Sequence, residues 1–172
     1  MPQLNSPGFA YKDLTKGLWD ILSAVIPPAE AMDILKASSE LAIVGFTDVG
    51  ITTKALISIL KVYGDEIKGA ADAANILYLT QLRGITTIEE ISQNIGMVTS
   101  MAKMAGLSID ELAASLMTMT RMSIPTNVAV TALRNTMKTF LSPSQEAKEA
   151  ADKFGLTLNT VTLRQKGLIG VI

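Results

Sequence analysis

The sequence contains no cysteine and no histidine. These absences exclude disulfides, thiol nucleophiles, zinc sites of the usual kind and the serine–histidine–aspartate arrangement of hydrolases. Phosphate-binding motifs of the forms GxxxxGKS/T and GxGxxG are also missing from the chain. What remains offers no nucleophile–base pair and no metal-ligand set, so the sequence predicts a protein that is not an enzyme and carries no cofactor or metal.

Strong net charge and long apolar runs are lacking as well. The formal net charge is −1, which provides no basic field to hold nucleic acid, and we expect no sequence-specific nucleic-acid partner. No stretch of about 18 residues is free of charges and helix breakers, which argues against a membrane-spanning helix. Aromatic residues make up 5% of the chain and apolar residues 48%. A core must therefore be built from Leu, Ile, Val, Met and Ala.

Helical periodicity runs through nearly the whole chain and is divided by breakers such as Pro27-Pro28, Gly64 and Ser142-Pro143. We therefore expect an all-α fold, a compact bundle of about seven to eight short helices joined by turns that contain Gly or Pro. The predicted helices cover residues 9–26, 29–44, 51–63, 65–82, 87–105, 108–122, 126–141 and 143–154. Only "LTLNTVTL", residues 156–163, has the composition of a short β-strand.

Three turns repeat the order glycine, aliphatic residue, hydroxyl residue, beginning at Gly50, Gly84 and Gly106. Such a glycine can end one helix in the left-handed conformation, and the hydroxyl side chain then caps the next helix. After Gly106, the spacing of Ser108 and Glu111 predicts a capping box, in which each residue bonds to the backbone of the other.

In the second of these turns the sequence allows two N-cap assignments: Thr86 with Glu89, or Thr87 with Glu90. Acidic pairs in first helical turns offset the helix dipole, so we interpret them as capping residues rather than as acid–base catalysts. The predicted structural turns and caps are Gly84, Thr86, Gly106, Ser108, Glu111, Pro125 and Pro143.

Methionines are concentrated in residues 96–122, which contain six of the nine in the chain. On a helix over residues 88–105, Met97, Met101 and Met104 share one face, opposite an aliphatic stripe. Methionine fills irregular gaps in cores, and it also forms soft surfaces that accept partner helices or a second copy of the chain. Both interpretations stay open, and the three methionines are the candidate interaction face.

The order of motifs over residues 82–156 carries a family resemblance: "LRGITTIEEISQNIGMVTSMAKMAGLSIDELAASLMTMTRMSIPTNVAVTALRNTMKTFLSPSQEAKEAADKFGL". This series resembles the core region of phage tail tape measure proteins. Weaker similarity extends over residues 31–172, which leaves residues 1–30 as a separate helix and turn-rich lead-in. The family often has Gly where this chain has Ser123, which argues against a left-handed helix end there.

The resemblance implies a structural and assembly protein of a phage or prophage tail. Proteins of this family occupy the tail lumen, set tail length as the tube polymerises, and assist DNA ejection. Their partners are the tail tube protein and tail assembly chaperones, with self-association and contact with the host membrane as further implied interactions. The implied locations are the virion tail and, during assembly, the host cytoplasm.

Length separates this chain from a complete tape measure. As one continuous helix, 172 residues would span only about 260 Å. We therefore expect a fragment, an isolated domain or a prophage remnant, and the apolar ending "GLIGVI" favours truncation at the C-terminus. The alternative function is a membrane-active helical module that acts on the host envelope.

Overall fold

The computed structural model describes residues 11–155 and 157–159. Over these residues the chain forms α-helices and one short 3₁₀ turn, with no strand, so the predicted all-α bundle is confirmed. The helices are α1 Tyr11–Ser23, α2 Pro28–Gly45, α3 Val49–Tyr63, α4 Ala70–Arg83, α5 Ile88–Asn94, α6 Thr99–Ala105, α7 Ile109–Arg121, α8 Thr126–Leu141 and α9 Gln145–Lys153. Within the predicted strand 156–163, residues 157–159 are not extended into a strand, and the others lie outside the described residues.

The α3 helix lies at the centre of the bundle and packs against α1, α2, α4, α5 and α6. Its side chains Leu56, Ile59 and Tyr63 are fully buried. The α8 helix provides a second centre, in contact with α5, α6 and α7. Apart from Tyr63 and Phe140, the buried apolar side chains of the described residues are aliphatic, Met or Ala, as the scarcity of aromatics predicts.

Four helices begin at a polar side chain that accepts a hydrogen bond from the first turn. These N-caps are Asp48 for α3, Thr87 for α5, Ser108 for α7 and Ser144 for α9. Because the first backbone N–H groups of a helix have no partner inside it, each cap fixes where its helix starts. The short helices of this fold are thus delimited largely by local sequence.

The predicted helix 87–105 is wrong in one respect, because it is interrupted. A 3₁₀ turn at Ile95–Met97 separates α5 from α6, and Val98 has φ −121°. The aliphatic stripe predicted for this segment is nevertheless buried along its whole length. Its members are Ile88, Ile91, Ile95, Val98 and Ala102.

The predicted left-handed helix ends are only partly correct. Gly106 has φ 83°, as expected. Gly50 lies inside α3, and it is Phe46, with φ 50°, that ends α2. Gly84 has φ −99° and is therefore not left-handed. Glycine is needed there for steric reasons, because a Cβ would lie 2.7 Å from the Thr120 hydroxyl.

The expectation that Ser123 does not form a left-handed helix end is also wrong. Ser123 has φ 63° and follows directly after α7. Its N–H donates to the Thr120 carbonyl at 2.9 Å, and the N–H of Ile124 donates to Met119 at 3.2 Å. This pattern closes the helix as glycine usually does, so serine occupies a conformation in which its Cβ is strained.

Candidate interaction surface

The three methionines of the candidate interaction face have different environments. Met97 and Met104 are 48% and 65% exposed. Met101, between them, is half-buried and packs against the core. The structure therefore leaves two methionine side chains on the surface and assigns the third largely to packing.

A groove of about 390 Å³ lies beside Met97, between α3 and α5. Lys54 of α3 and Gln93 of α5 supply polar groups at the groove, whereas Ile51, Ala55 and Met97 supply apolar ones. We call Met97, Met104 and this groove the methionine surface.

A second set of exposed apolar side chains lies near the C-terminal ends of α2, α4 and α7, and sequence reasoning did not single it out. Ile85 and Met122 are 65% and 73% exposed, and Phe46 is 97% exposed. These residues lie in turns, where apolar side chains carry no periodic signal, so a helical pattern could not identify them.

Close backbone approaches bring these turns together. A Cβ on Gly45 would lie 2.7 Å from the Cβ of Ile88, which joins the end of α2 to the start of α5. The contact of Gly84 with Thr120 similarly joins the α4–α5 turn to the end of α7. Glycine is required at both positions because only a residue without a side chain allows this packing.

Of the two caps that the sequence left open, the structure contains Thr87 with Glu90, so Thr86, named among the predicted caps, is not the N-cap of α5. The cap is Thr87, whose hydroxyl accepts from the N–H of Glu90 at 3.1 Å, while the Glu90 carboxylate accepts from the N–H of Thr87 at 3.2 Å. The Thr86 hydroxyl instead lies 2.7 Å from that of Thr126, at the start of α8. Both threonine hydroxyl oxygens also lie 3.2 Å from the Glu90 carboxylate. Since each hydroxyl has one proton, one threonine donates to the other, and the second donates to the carboxylate.

The turn from α6 to α7 contains the capping box of Ser108 and Glu111. The N–H of Glu111 donates to the Ser108 hydroxyl at 3.2 Å, and the N–H of Ser108 donates to the Glu111 carboxylate at 2.9 Å. Together with the left-handed Gly106, this box divides the six methionines between two structural units.

The two predicted prolines lie directly at helix starts. Pro125 is the residue before α8, and its carbonyl accepts from the N–H of Ala129 at 2.9 Å. Pro143 precedes Ser144, the cap of α9. Neither side chain carries a functional group. The proline ring instead restricts φ, and so limits the direction from which the chain enters each helix.

A charged cluster at the α3–α6 contact was also missed by sequence reasoning. Lys103 of α6 bridges Asp65, at 3.1 Å, and Glu66, and its ammonium lies 5.2 Å from the ring centre of Tyr63. The hydrogen bond to Glu66 raises the pKa of Lys103, and the hydrogen bond from Lys103 lowers the pKa of Asp65.

Tyr63 itself is buried beneath this cluster. Its hydroxyl donates to the Leu107 carbonyl at 3.1 Å and lies 3.4 Å from that of Thr99. Burial is the main cause that raises its pKa, with the charges of Glu66 and Glu111 adding to the effect. The phenol is therefore neutral under ordinary conditions and serves as a fixed hydrogen-bond donor.

Neither a metal site nor a membrane span is found in the part of the chain that the structure describes. Its Asp and Glu residues form no group of three or more that could hold an ion. None of the described helices is long and apolar enough to cross a membrane.

The sequence model of phage-related minor tail proteins matches residues 4–172. The chain belongs to this family. Two curated relatives support the resemblance of the chain to tape measure proteins. A probable tape measure protein of Clostridium phage phiCD119 is 28% identical over 112 residues, which cover 63% of this chain and 12% of the relative.

The tape measure protein of Pneumococcus phage Dp-1 is 24% identical over 163 residues, which cover 92% of this chain and 14% of the relative. The chain therefore spans less than a sixth of the length of either relative. No solved structure matches the chain. The family match supports a structural role in a phage tail.

Proposed function

We propose that the chain is a folded helical segment of the tape measure type, which sets tail length during polymerisation of the tail tube. The family match over residues 4–172 carries this proposal. The names of the two relatives, both tape measure proteins, support it. In this proposal the chain is not a catalyst, and it acts in the host cytoplasm during assembly before it becomes part of the virion tail.

We propose the methionine surface as the site that contacts other tail components or a second copy of the chain. Met97 and Met104 are exposed and apolar, and thioether side chains adapt to differently shaped partners. The proposed partners are the tail tube protein and the tail assembly chaperones. Assistance with DNA ejection and contact with the host membrane at infection are further proposals, which rest on the family resemblance.

Tail length tests the proposed function directly. In the phage or prophage that encodes the chain, an in-frame deletion of these 172 residues should shorten the tails. The shortening should be about 260 Å if the segment is extended as one helix, and about 40 Å if it remains a compact bundle. Electron microscopy of negatively stained tails measures both outcomes, and tails of unchanged length would contradict a role in setting length.

A variant with the same number of residues tests the contacts of the methionine surface separately from the effect of chain length on tail length. Replacing Met97 and Met104 by Gln keeps the number of residues and leaves Met101 in the core. We expect tails of normal length in reduced number, and weaker self-association in sedimentation velocity. Normal tail yield together with unchanged sedimentation would show that this surface contacts nothing in assembly.

The membrane-active alternative has a separate test. The purified chain is mixed with liposomes of bacterial lipid composition at neutral pH and centrifuged through a density gradient. The tape-measure proposal expects the chain to stay with the soluble fraction. Co-flotation in high salt would favour the alternative.

A further inference from the structure

The α4 helix has two faces at helical spacing, and the bundle covers only one of them. The covered face is buried and consists of Ala70, Ala73, Leu77 and Thr80. The outer face is exposed and consists of Ala71, Asn75, Tyr78 and Leu82. Ile85 follows at the same spacing just after the end of the helix, and it is exposed as well. The described part of the chain therefore leaves this outer face open to solvent.

The spacing of the outer face is that of a coiled-coil seam. Its residues follow one another at alternating intervals of four and three, as the seam positions of two supercoiled helices do. Asn75 occupies one seam position, and its amide has no hydrogen-bond partner within the described residues. In a parallel pair of identical helices this amide meets its equivalent, and each donates to the other. An antiparallel pair centred on Asn75 would instead place Leu82 beyond the start of the other helix.

Charge and shape both allow a second helix on this face. Between Asp72 and Arg83 the α4 helix has no charged residue, so two identical copies would not repel each other along the seam. A groove of about 210 Å³ lies beside the seam, between α2 and α4, where Val44 and Tyr78 line it. Small side chains, Ala37, Ala71 and Ala74, also line this groove. They allow another helix to approach closely.

The exposed apolar area around the seam is large enough for a dimer. Leu82 is 64% exposed, and Phe46, at the end of α2, is almost fully exposed. Together with Val44, Tyr78 and Ile85 they present on the order of 500 Å² of apolar surface. A stable interface buries about 800 Å² on each partner, and about 65% of it is apolar in homodimers, which is also about 500 Å². The outer face of α4 therefore matches what a second copy of the chain would bury.

We propose that the chain forms a two-fold symmetric dimer in which α4 lies parallel to α4 of a second copy. Asn75 of each copy pairs with its equivalent, and Tyr78 and Leu82 pack against theirs across the axis. The seam shares no residue with the methionine surface, so the dimer goes beyond the proposed function and does not depend on it.

Disulfide cross-linking of the whole chain tests the register. The sequence has no cysteine, so a single introduced cysteine can form a disulfide only with that of another copy. A disulfide requires the two Cα atoms to lie within about 7 Å, which the proposed dimer satisfies at position 75. Under mild oxidation at micromolar concentration, Asn75→Cys should cross-link at least about tenfold faster than Ser100→Cys, an exposed control on α6. Equal rates for the two variants would overturn the inference.

Sedimentation velocity tests the face by inserting a charge into it. Leu82→Lys should raise the dissociation constant of the dimer at least about tenfold, because it places two lysines opposite each other in an apolar seam. Leu22→Lys is the matched control, since Leu22 is an exposed leucine on α1, and it should leave the dimer unchanged. A parent chain that stays monomeric, or a dimer that Leu82→Lys does not weaken, would overturn the inference. Circular dichroism establishes that each variant is folded, and if Leu82→Lys is not, the cross-linking rates decide alone.

Discussion

The left-handed Ser123 offers a substitution that should stabilise the protein. Ser123 is exposed, has φ 63°, and makes no side-chain hydrogen bond within the described residues. A left-handed conformation costs a residue with a Cβ about 1–2 kcal/mol. Glycine avoids that cost but loses about 0.4–1 kcal/mol through the greater freedom of the unfolded chain. Ser123→Gly should therefore raise the free energy of unfolding by about 0.5–1 kcal/mol.

Urea denaturation followed by circular dichroism measures this change, and the melting temperature should rise by about 1–4 °C. The matched control is Ser100→Gly, the same substitution at an exposed position inside α6. There glycine should lower the stability by about 0.5 kcal/mol, because it weakens the helix without relieving strain. Changes of the same sign at the two positions would refute the argument from backbone conformation.

Three further perturbations test the packing and the charges. Gly45→Ala should cost about 1–3 kcal/mol, because its Cβ would lie 2.7 Å from that of Ile88, and equal stability in urea denaturation would contradict the close approach. Tyr63→Phe should cost about 1–3 kcal/mol by leaving the buried Leu107 carbonyl without the donor that Tyr63 supplies, and a thermal melt that matches the parent would count against this. The pKa of Asp65 is lowered in the folded state, so its contribution is present at neutral pH and is lost as pH falls through the folded-state pKa. In denaturation from pH 7 to 3, Lys103→Gln should lose less stability than the parent, and parallel pH profiles would show that the exposed cluster contributes nothing.

Features set by neighbouring residues could be predicted from the sequence. The capping box of Ser108 and Glu111 needs only residues three apart, and the structure contains it. The predicted helix 126–141 has the same bounds as α8. Pro125 marks the start of this helix, and an amphipathic stripe follows it. In both cases the determining interactions lie within one helical turn.

Features set by distant residues could not be predicted in this way. The Thr86–Thr126 contact joins residues 40 apart in the sequence. Gly84 is recognisable as a turn residue, but its conformation depends on how closely α7 approaches. The interruption in 88–105 contains Gly96, a weak helix former that also lies close to Ser58 of α3, and the helical spacing of the buried residues does not reveal it.

Methionine exposure lies between these two cases. Helical spacing placed Met97, Met101 and Met104 together, opposite the aliphatic stripe. Which of them packs against the bundle depends on the neighbours of α6, chiefly α8 and α3. The sequence therefore indicated the candidate face, while the fold decided that Met101 is half-buried and the other two are exposed.

The Glu90 carboxylate has a consequence for how this family can evolve. It accepts a hydrogen bond from the Thr87 backbone and lies within hydrogen-bond distance of the paired Thr86 and Thr126 hydroxyls, and thus connects two turns. Aspartate is one methylene shorter and would not reach all three groups. Across related sequences, positions 86, 90 and 126 should therefore change together rather than independently. A lineage that loses the glutamate is expected to lose the paired threonines as well.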